Sequence, residues 1–508
     1  MDPLIFLHAL YQGLGAVAAV PAVIAGAVKG RHGGNWADRF GCVVAGGNKP
    51  LWFHAASVGE AGSAGILIEA AKEAMPDENF VLSVGTPSGL AKAKKLFEND
   101  PRVGLMASPL DVLGAPGRTL DRMEPKCLVL TEGEVWPGLI RACRGRKIPV
   151  MLAAGRISAK SAARERIVAP FFRDLYEGMA LVALISQEDK ERIASLGVDP
   201  EKLKVLGSPK FDDLVKVART DETPPGRFEA PLLIVAGSTH KGEEEIIISA
   251  FLKLLVSAAV KKSPPSPGGK DETPGDEGLP FKIILAPRHP ERAPGILARA
   301  RENGFEAEYV PDPDVPPETL PAMGVVNVLG KLNDFYKKCD IAIVGGSFVP
   351  GLQGHNPMEP AAYGRPVIIG PNMESFSEPA RALMEVGGAK MCLPQDLHSV
   401  LQQILGNPQR PKASGIRGKK VVAERPLVAP LLAKAIKDVL FPRPAANDAP
   451  AEDAPASPAP GGSGDPEASE AANLSEEPAP SPPPEDAPKD APEDAPAAPA
   501  SENDPGAE

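Results

Sequence analysis

Cysteine is scarce and never closely paired: Cys42, Cys127, Cys143, Cys339 and Cys392 are the five present, and no C-x-x-C occurs. This pattern argues against a local zinc site and against a disulfide framework, and it fits a reducing compartment. Histidine is equally thin, with seven residues and no pair at metal-ligand spacing on an expected helix, so no metal is expected. A strongly basic balance is also missing. The net charge of −11 originates in the C-terminal end, where residues 444–508 hold sixteen Asp/Glu against one lysine, or −15. Residues 1–443 carry 54 basic and 50 acidic side chains, or +4. A body so close to neutral makes no case for nucleic acid, yet it suits an anionic membrane surface or a phosphorylated ligand.

One long apolar run is present. Residues 3–28, "PLIFLHALYQGLGAVAAVPAVIAGAV", are nearly uncharged. A continuous helix of that length reaches about 39 Å, against a hydrocarbon core of about 30 Å. His8, Gln12 and Pro21 interrupt the run, and Asp2 stands where a signal peptide carries basic residues. Lys29, Arg31 and Arg39 follow it, which leaves the body on the cytoplasmic side. Residues 1–30 therefore read as a membrane-associated segment, spanning or interfacial, with a buried core helix as the plain alternative. At the other end, 443–508 repeat "EDAP" and "APAP" with almost no large apolar side chains and read as a disordered tail. The insert 261–280, "KKSPPSPGGKDETPGDEGLP", reads as a disordered surface loop.

Between these segments short β-type runs alternate with helical patterns, which predicts an α/β chain with parallel, doubly wound sheets. Strands are expected at 51–56, 80–85, 103–108, 127–132, 149–155 and 181–186, then at 231–238, 281–287, 325–330, 341–347 and 366–371. "VARTDETPPGRFEA" separates the two series. The expected organisation is a first Rossmann-like domain over 31–216, a linker over 217–230 and a second Rossmann-like domain over 231–442. Two such domains facing across a cleft would present their strand C-terminal ends to it, where ligands bind in these sheets.

The unusual residues cluster just after strands. "LWFHAASVGEAGSAG" (51–65) puts Glu60 at a helix start, where a carboxylate is either an electrostatic cap or a chemical group. "EGEVWP" supplies Glu132 and Glu134, "GRIS" supplies Arg156, and "PKFD" supplies Lys210. In the second half, "AGSTHKGEEE" offers Ser238, Thr239 and a helix N-terminus as oxyanion donors, with a capping arrangement through Glu243 or Glu244 as the plainer reading. "PRHPER" places Arg288 and His289 at a strand end, suiting a phosphate or carboxylate. "GGSFVPGLQGHNPMEPAAYGRPVIIGP" brings backbone near a ligand at Gly346 and Ser347, a tight turn at Asn356, and Glu359 as an acceptor for ribose hydroxyls.

Taken together, "WFHAASVGE", "TPSG", "EGEVWP", "GRIS", "PKFD", "AGSTHKGEE", "PRHPER" and the glycine-rich stretch resemble the bacterial 3-deoxy-D-manno-octulosonic acid (Kdo) transferases of lipopolysaccharide synthesis. The motifs occur in family order over about residues 50–376. Three local departures exist: Trp136-Pro137-Gly138 for the usual WPN, Ala154-Gly155-Arg156 for Asn-Ala-Arg, and Gly370-Pro371-Asn372 with Ser375-Phe376 for GPH..NF.

The resemblance implies a GT-B fold with an acceptor-binding first domain and a CMP-binding second domain. It implies inverting, metal-independent transfer of Kdo from CMP-Kdo to a lipid A precursor (lipid IVA) at the cytoplasmic face of the inner membrane. Glu60 is then the base. Lys210, Ser238, Thr239, Arg288, His289, Gly346, Ser347, Asn356 and Glu359 serve the donor. Glu132, Glu134 and Arg156 are weaker acceptor-side candidates. Two other readings remain at this level: a UDP-sugar 2-epimerase on the same fold, and a membrane-tethered binding scaffold without catalysis.

Overall fold

The computed structural model describes residues 7–15, 17, 35–42, 45, 49–262 and 281–442, apart from 113, 134, 225 and 408. The apolar runs become strands because each is bounded by turn residues and buried along its length: β1 (Leu51–Ala55), β2 (Phe80–Val84) and β4 (Cys127–Thr131) have no exposed position. Such continuous burial belongs to parallel sheets covered on both faces. With β3 (Val103–Ala107), β5 (Val150–Gly155), β6 (Leu181–Leu184) and β7 (Leu203–Val205), they form a seven-stranded sheet ordered β3-β2-β1-β4-β5-β6-β7.

The second series repeats the plan. β8 (Leu232–Thr239), β9 (Phe281–Pro287), β10 (Ala307–Tyr309), β11 (Met323–Val325), β12 (Ile341–Val344), β13 (Val367–Ile369) and β14 (Ala389–Met391) are ordered β10-β11-β9-β8-β12-β13-β14. Every neighbouring pair in both sheets is parallel. The chain is thus an α/β protein with two Rossmann-like sheets. Strand order reverses between β1 and β4 and again between β8 and β12. Those two switch points open the crevices where doubly wound sheets take their ligands.

The expected boundaries need correction. Helix Asp212–Thr220 buries Leu214, Val215 and Ala218 among Val344, Met358 and Ile369 of the second half, although residues to 216 were expected in the first. Helix Val428–Leu440, expected with the second half, buries Val428, Leu432, Ala433 and Ile436 in the first-half core beside Leu67 and Ile68. The apolar stripe of that helix decides its side: positions i, i+4, i+5 and i+8 form one face. The expected strand at 325–330 begins and ends earlier, as β11.

The two crossovers are tied together. The buried Asp212 carboxylate accepts from the N–H groups of Val428 (2.9 Å) and Ala429 (2.7 Å), capping the returning helix. Asp212→Ala is expected to lower unfolding free energy in urea by about 1–2 kcal/mol. An unchanged midpoint would mean that packing alone holds the crossover.

Residues 7–15 are helical; most of the 1–30 segment, most of the 261–280 insert and the 443–508 tail lie outside the described residues. Among the described residues no helix is long and apolar enough to cross a membrane.

Candidate active site

At the first switch point β1 ends at Ala55 and a helix, Val58–Ala74, begins after Ser57. Ser57 is extended and caps it: its hydroxyl accepts from Glu60 N (3.4 Å). Glu60 Oε2 reaches back to the N–H groups of Ala56 (2.6 Å) and Ser57 (2.9 Å), completing a capping box. Glu60 is therefore a helix cap, but through one oxygen. Oε1 makes no hydrogen bond among the described residues, and the side chain is half-buried beside exposed Ser57, Val58 and Gly59. Burial raises the Glu60 carboxyl above its ordinary range; the two backbone donors oppose this, the charge of Glu132 adds to it, and Lys210 opposes it.

Glu132 lies just past β4 in a left-handed conformation (φ 60°) and is 6% exposed. Its Oε1 accepts from Ser63 Oγ at 2.7 Å, and Lys210 Nζ straddles the carboxylate at 2.7 Å from Oε1 and 2.9 Å from Oε2. Removing Lys210 would strand the buried Glu132 charge, whereas Lys210 itself is exposed. Lys210, expected near the donor carboxylate, is paired in this structure with Glu132 of the first half. Its short 3₁₀ turn, Pro209–Phe211, packs on helix Val58–Ala74 just before the crossover. Arg156 is exposed and meets Glu132 through backbone alone, its N–H donating to Glu132 O at 3.3 Å. Glu134 lies outside the described residues.

The Trp136-Pro137-Gly138 departure has a local cause. Buried Asp111 accepts from Gly138 N (2.7 Å) and Leu139 N (2.6 Å), capping helix Pro137–Gly145. It also accepts from Tyr11 OH (2.7 Å), while Gln12 donates to Asp111 O (3.0 Å). A Cβ at Gly138 would lie 2.2 Å from Asp111 O and 2.7 Å from Gln12 Nε2. The Asp111 backbone carbonyl leaves space for glycine alone. Burial lifts the Asp111 carboxyl to about 6, against its three donors. In the same region buried His54 sits edge-on to Trp136 at 5.8 Å, with burial pulling its imidazole down to about 4.

At the second switch point several expected phosphate donors are already engaged. Glu243, fully buried, accepts from the N–H groups of Gly346 (2.7 Å), Ser347 (2.9 Å) and Phe348 (2.9 Å), and from His240 N (2.9 Å). The glycine-rich nest after β12 therefore holds an internal carboxylate instead of a ligand phosphate. The Ser347 hydroxyl is also occupied, donating to Val344 O and accepting from Gly370 N. Buried Thr239 donates to Glu244, which also takes a bidentate pair from Arg292 at 2.9 and 3.0 Å. Gly346, Ser347 and Thr239 thus shape the loop, and they do so because "GEEE" supplies two inward carboxylates.

Other candidates stay open to a ligand. Ser238, half-buried and left-handed (φ 56°), makes no side-chain hydrogen bond among the described residues. Arg288 is exposed and its guanidinium has no ion pair among them; its N–H donates to Thr239 O at 3.0 Å. Burial raises Glu359 to about 7, opposed by a hydrogen bond from Asn356 and by the charge of Arg288. Asn356 Oδ1 also accepts from Met358 N (3.0 Å), fixing the turn before Glu359. His289 is exposed, 3.4 Å from Glu291, and edge-on to His240. His240 and His355 were not singled out in the sequence, although both stand in quoted motifs, "STHKG" and "GHN"; nor was Ser63, a small residue on a small-residue helix.

These sites can be set beside known proteins. Residues 34–213 match the family described as 3-deoxy-D-manno-octulosonic-acid transferase (kdotransferase). A 3-deoxy-D-manno-octulosonic acid transferase of Bordetella pertussis is 32% identical, over 75% of this chain and 87% of that protein. Another, of Haemophilus influenzae, is 31% identical over 66% of this chain and 74% of that protein. Among solved structures, the C-terminal CMP-Kdo binding domain of WaaA from Acinetobacter baumannii aligns at 19% identity and a TM-score of 0.32, covering 42% of this chain and 99% of that one. UDP-GlcNAc 2-epimerase from Neisseria meningitidis aligns at 14% identity and a TM-score of 0.49, covering 77% and 99%.

Proposed function

The chain belongs to the 3-deoxy-D-manno-octulosonic acid transferase family, and on that premise we propose that it transfers Kdo from CMP-Kdo to a lipid A precursor, lipid IVA, with inversion at the anomeric carbon. The observation that carries this reading is the Glu60 carboxylate. One oxygen is fixed by the helix cap while the other is unengaged among the described residues, beside a Glu132–Lys210 pair at the sheet's ligand-binding edge.

In the proposed reaction an acceptor hydroxyl attacks the anomeric carbon of the donor sugar. Glu60 takes the hydroxyl proton as the new C–O bond forms, and CMP departs from the opposite face with the electron pair of the broken bond. Lys210 and Ser63 hold Glu132, so the negative charge next to the base is compensated and the base stays aligned. On the donor side Glu359 receives the ribose hydroxyls, with Asn356 ordering its turn. Arg288, Ser238 and His289 meet the leaving phosphate, a charge small enough to be stabilised by cations and N–H groups without a divalent metal. Arg156 faces the acceptor. The membrane-associated segment places the enzyme at the cytoplasmic face of the inner membrane, next to its lipid substrate.

A nucleotide test separates this reading from a UDP-sugar epimerase. CMP is expected to raise the protein's thermal midpoint in a concentration-dependent way, and UDP is not. Protection by UDP alone would overturn the donor assignment.

A further inference from the structure

Three imidazoles meet at the second switch point. His240 follows β8, His289 follows β9, and His355 lies in the turn that folds back on Gly346 after β12. His240 and His355 are stacked at 5.1 Å with an 11° interplanar angle, and their Nε2 atoms are 2.8 Å apart. His289 stands edge-on to His240 at 5.8 Å. Gly346 permits this arrangement, since a Cβ there would lie 2.8 Å from His355 Cδ2.

An Nε2–Nε2 hydrogen bond requires one ring to donate and the other to accept, so the pair holds one proton between the two facing nitrogens. A second proton there would set two N–H groups against each other and part the rings. Parted, the two rings become two charge-assisted donors for an anion.

Resting on the donor reading above, we infer that His240 and His355 form a proton-gated subsite for the donor's phosphate: when a phosphate ester arrives, the pair takes one proton from solvent, opens, and turns both N–H groups to the phosphate oxygens. The surroundings suit a pair that is neutral before the ligand and charged with it. Burial lowers both imidazoles, His355 to about 4. His240 also faces Glu243 and Glu244, which favour its charged form, and His289 and Arg292, which disfavour it. His355 faces His240 and Arg288, which both disfavour it. An anion among these groups reverses the balance, and affinity for it falls as pH rises toward and past neutrality. Glu359 contributes the opposite sign: lying at about 7 in the free protein, it releases protons when the ribose draws it into the ionised form.

The test is titration calorimetry of the full chain with the methyl ester of CMP, a phosphodiester that does not itself titrate near neutrality. Binding is measured at pH 7 in two buffers of different ionisation enthalpy. The expected result is a net proton uptake higher in the wild type than in His240→Asn and His355→Asn by about 0.5–1 proton, with affinity about tenfold weaker in each variant. An identical proton count in the wild type and both variants overturns the gated subsite while leaving the donor assignment intact. No binding of either CMP or its ester to the wild type overturns both.

Discussion

Glu60→Gln is expected to lower turnover by about 10²–10⁴-fold while leaving CMP affinity unchanged. The substitution is unusually clean because the two jobs of Glu60 can be separated. A glutamine carbonyl can still accept from Ala56 N and Ser57 N, so the capping box that starts helix Val58–Ala74 survives. What is lost is an ionised oxygen able to take a proton. Glu60→Ala removes both functions, and adds a stability loss of about 0.5–2 kcal/mol typical of a missing cap. Comparing the two variants by initial rates and thermal melts distinguishes a base from a structural residue. Activity should rise with pH through the Glu60 titration, since the base works when ionised and burial has moved its carboxyl upward. Near-normal turnover in the glutamine variant would remove Glu60 from the role.

Glu243→Ala is expected to be the most damaging change to stability, costing about 4 kcal/mol or more in urea unfolding. It leaves the N–H groups of Gly346, Ser347, Phe348 and His240 without their acceptor, and each unsatisfied buried donor costs about 1–3 kcal/mol. That is a large part of the ~5–15 kcal/mol that holds an ordinary domain together. The same loss would slacken both the loop after β12 and the backbone at His240, so protection by CMP should disappear with it. Glu243→Gln should fall between, because an amide keeps one acceptor oxygen and turns an NH₂ group toward donors it cannot satisfy. A variant within 1 kcal/mol of the wild type would show that the nest does not depend on this carboxylate.

The difference between Glu60 and Glu243 explains how much could be read from the sequence. Apolar runs and glycine spacing give both series of parallel strands, because burial on two faces leaves a compositional mark. The three-residue strands β7, β10 and β14 leave almost none. "SVGE" similarly announces a helix start, and the cap is there. Which polar groups pair is a different matter. Thr239, Gly346 and Ser347 have the composition of an anion site, yet Glu244 and Glu243 occupy their donors. Lys210 is 78 residues from Glu132 in sequence, and only the turn at Pro209–Phe211 brings them together. Gly138 shows the reverse: a departure from the family motif has its cause in space, with the Asp111 carbonyl 2.2 Å from where a Cβ would lie.

The most direct measurement is incubation of the full chain with CMP-Kdo and a tetra-acylated lipid A precursor in excess EDTA, followed by mass spectrometry of the lipid. Metal-independent Kdo transfer with Glu60 as its base predicts a lipid heavier by a whole number of Kdo units, formed by the wild type and sharply reduced in Glu60→Gln. An unchanged lipid mass, or a product that forms only when Mg²⁺ is restored, would contradict it.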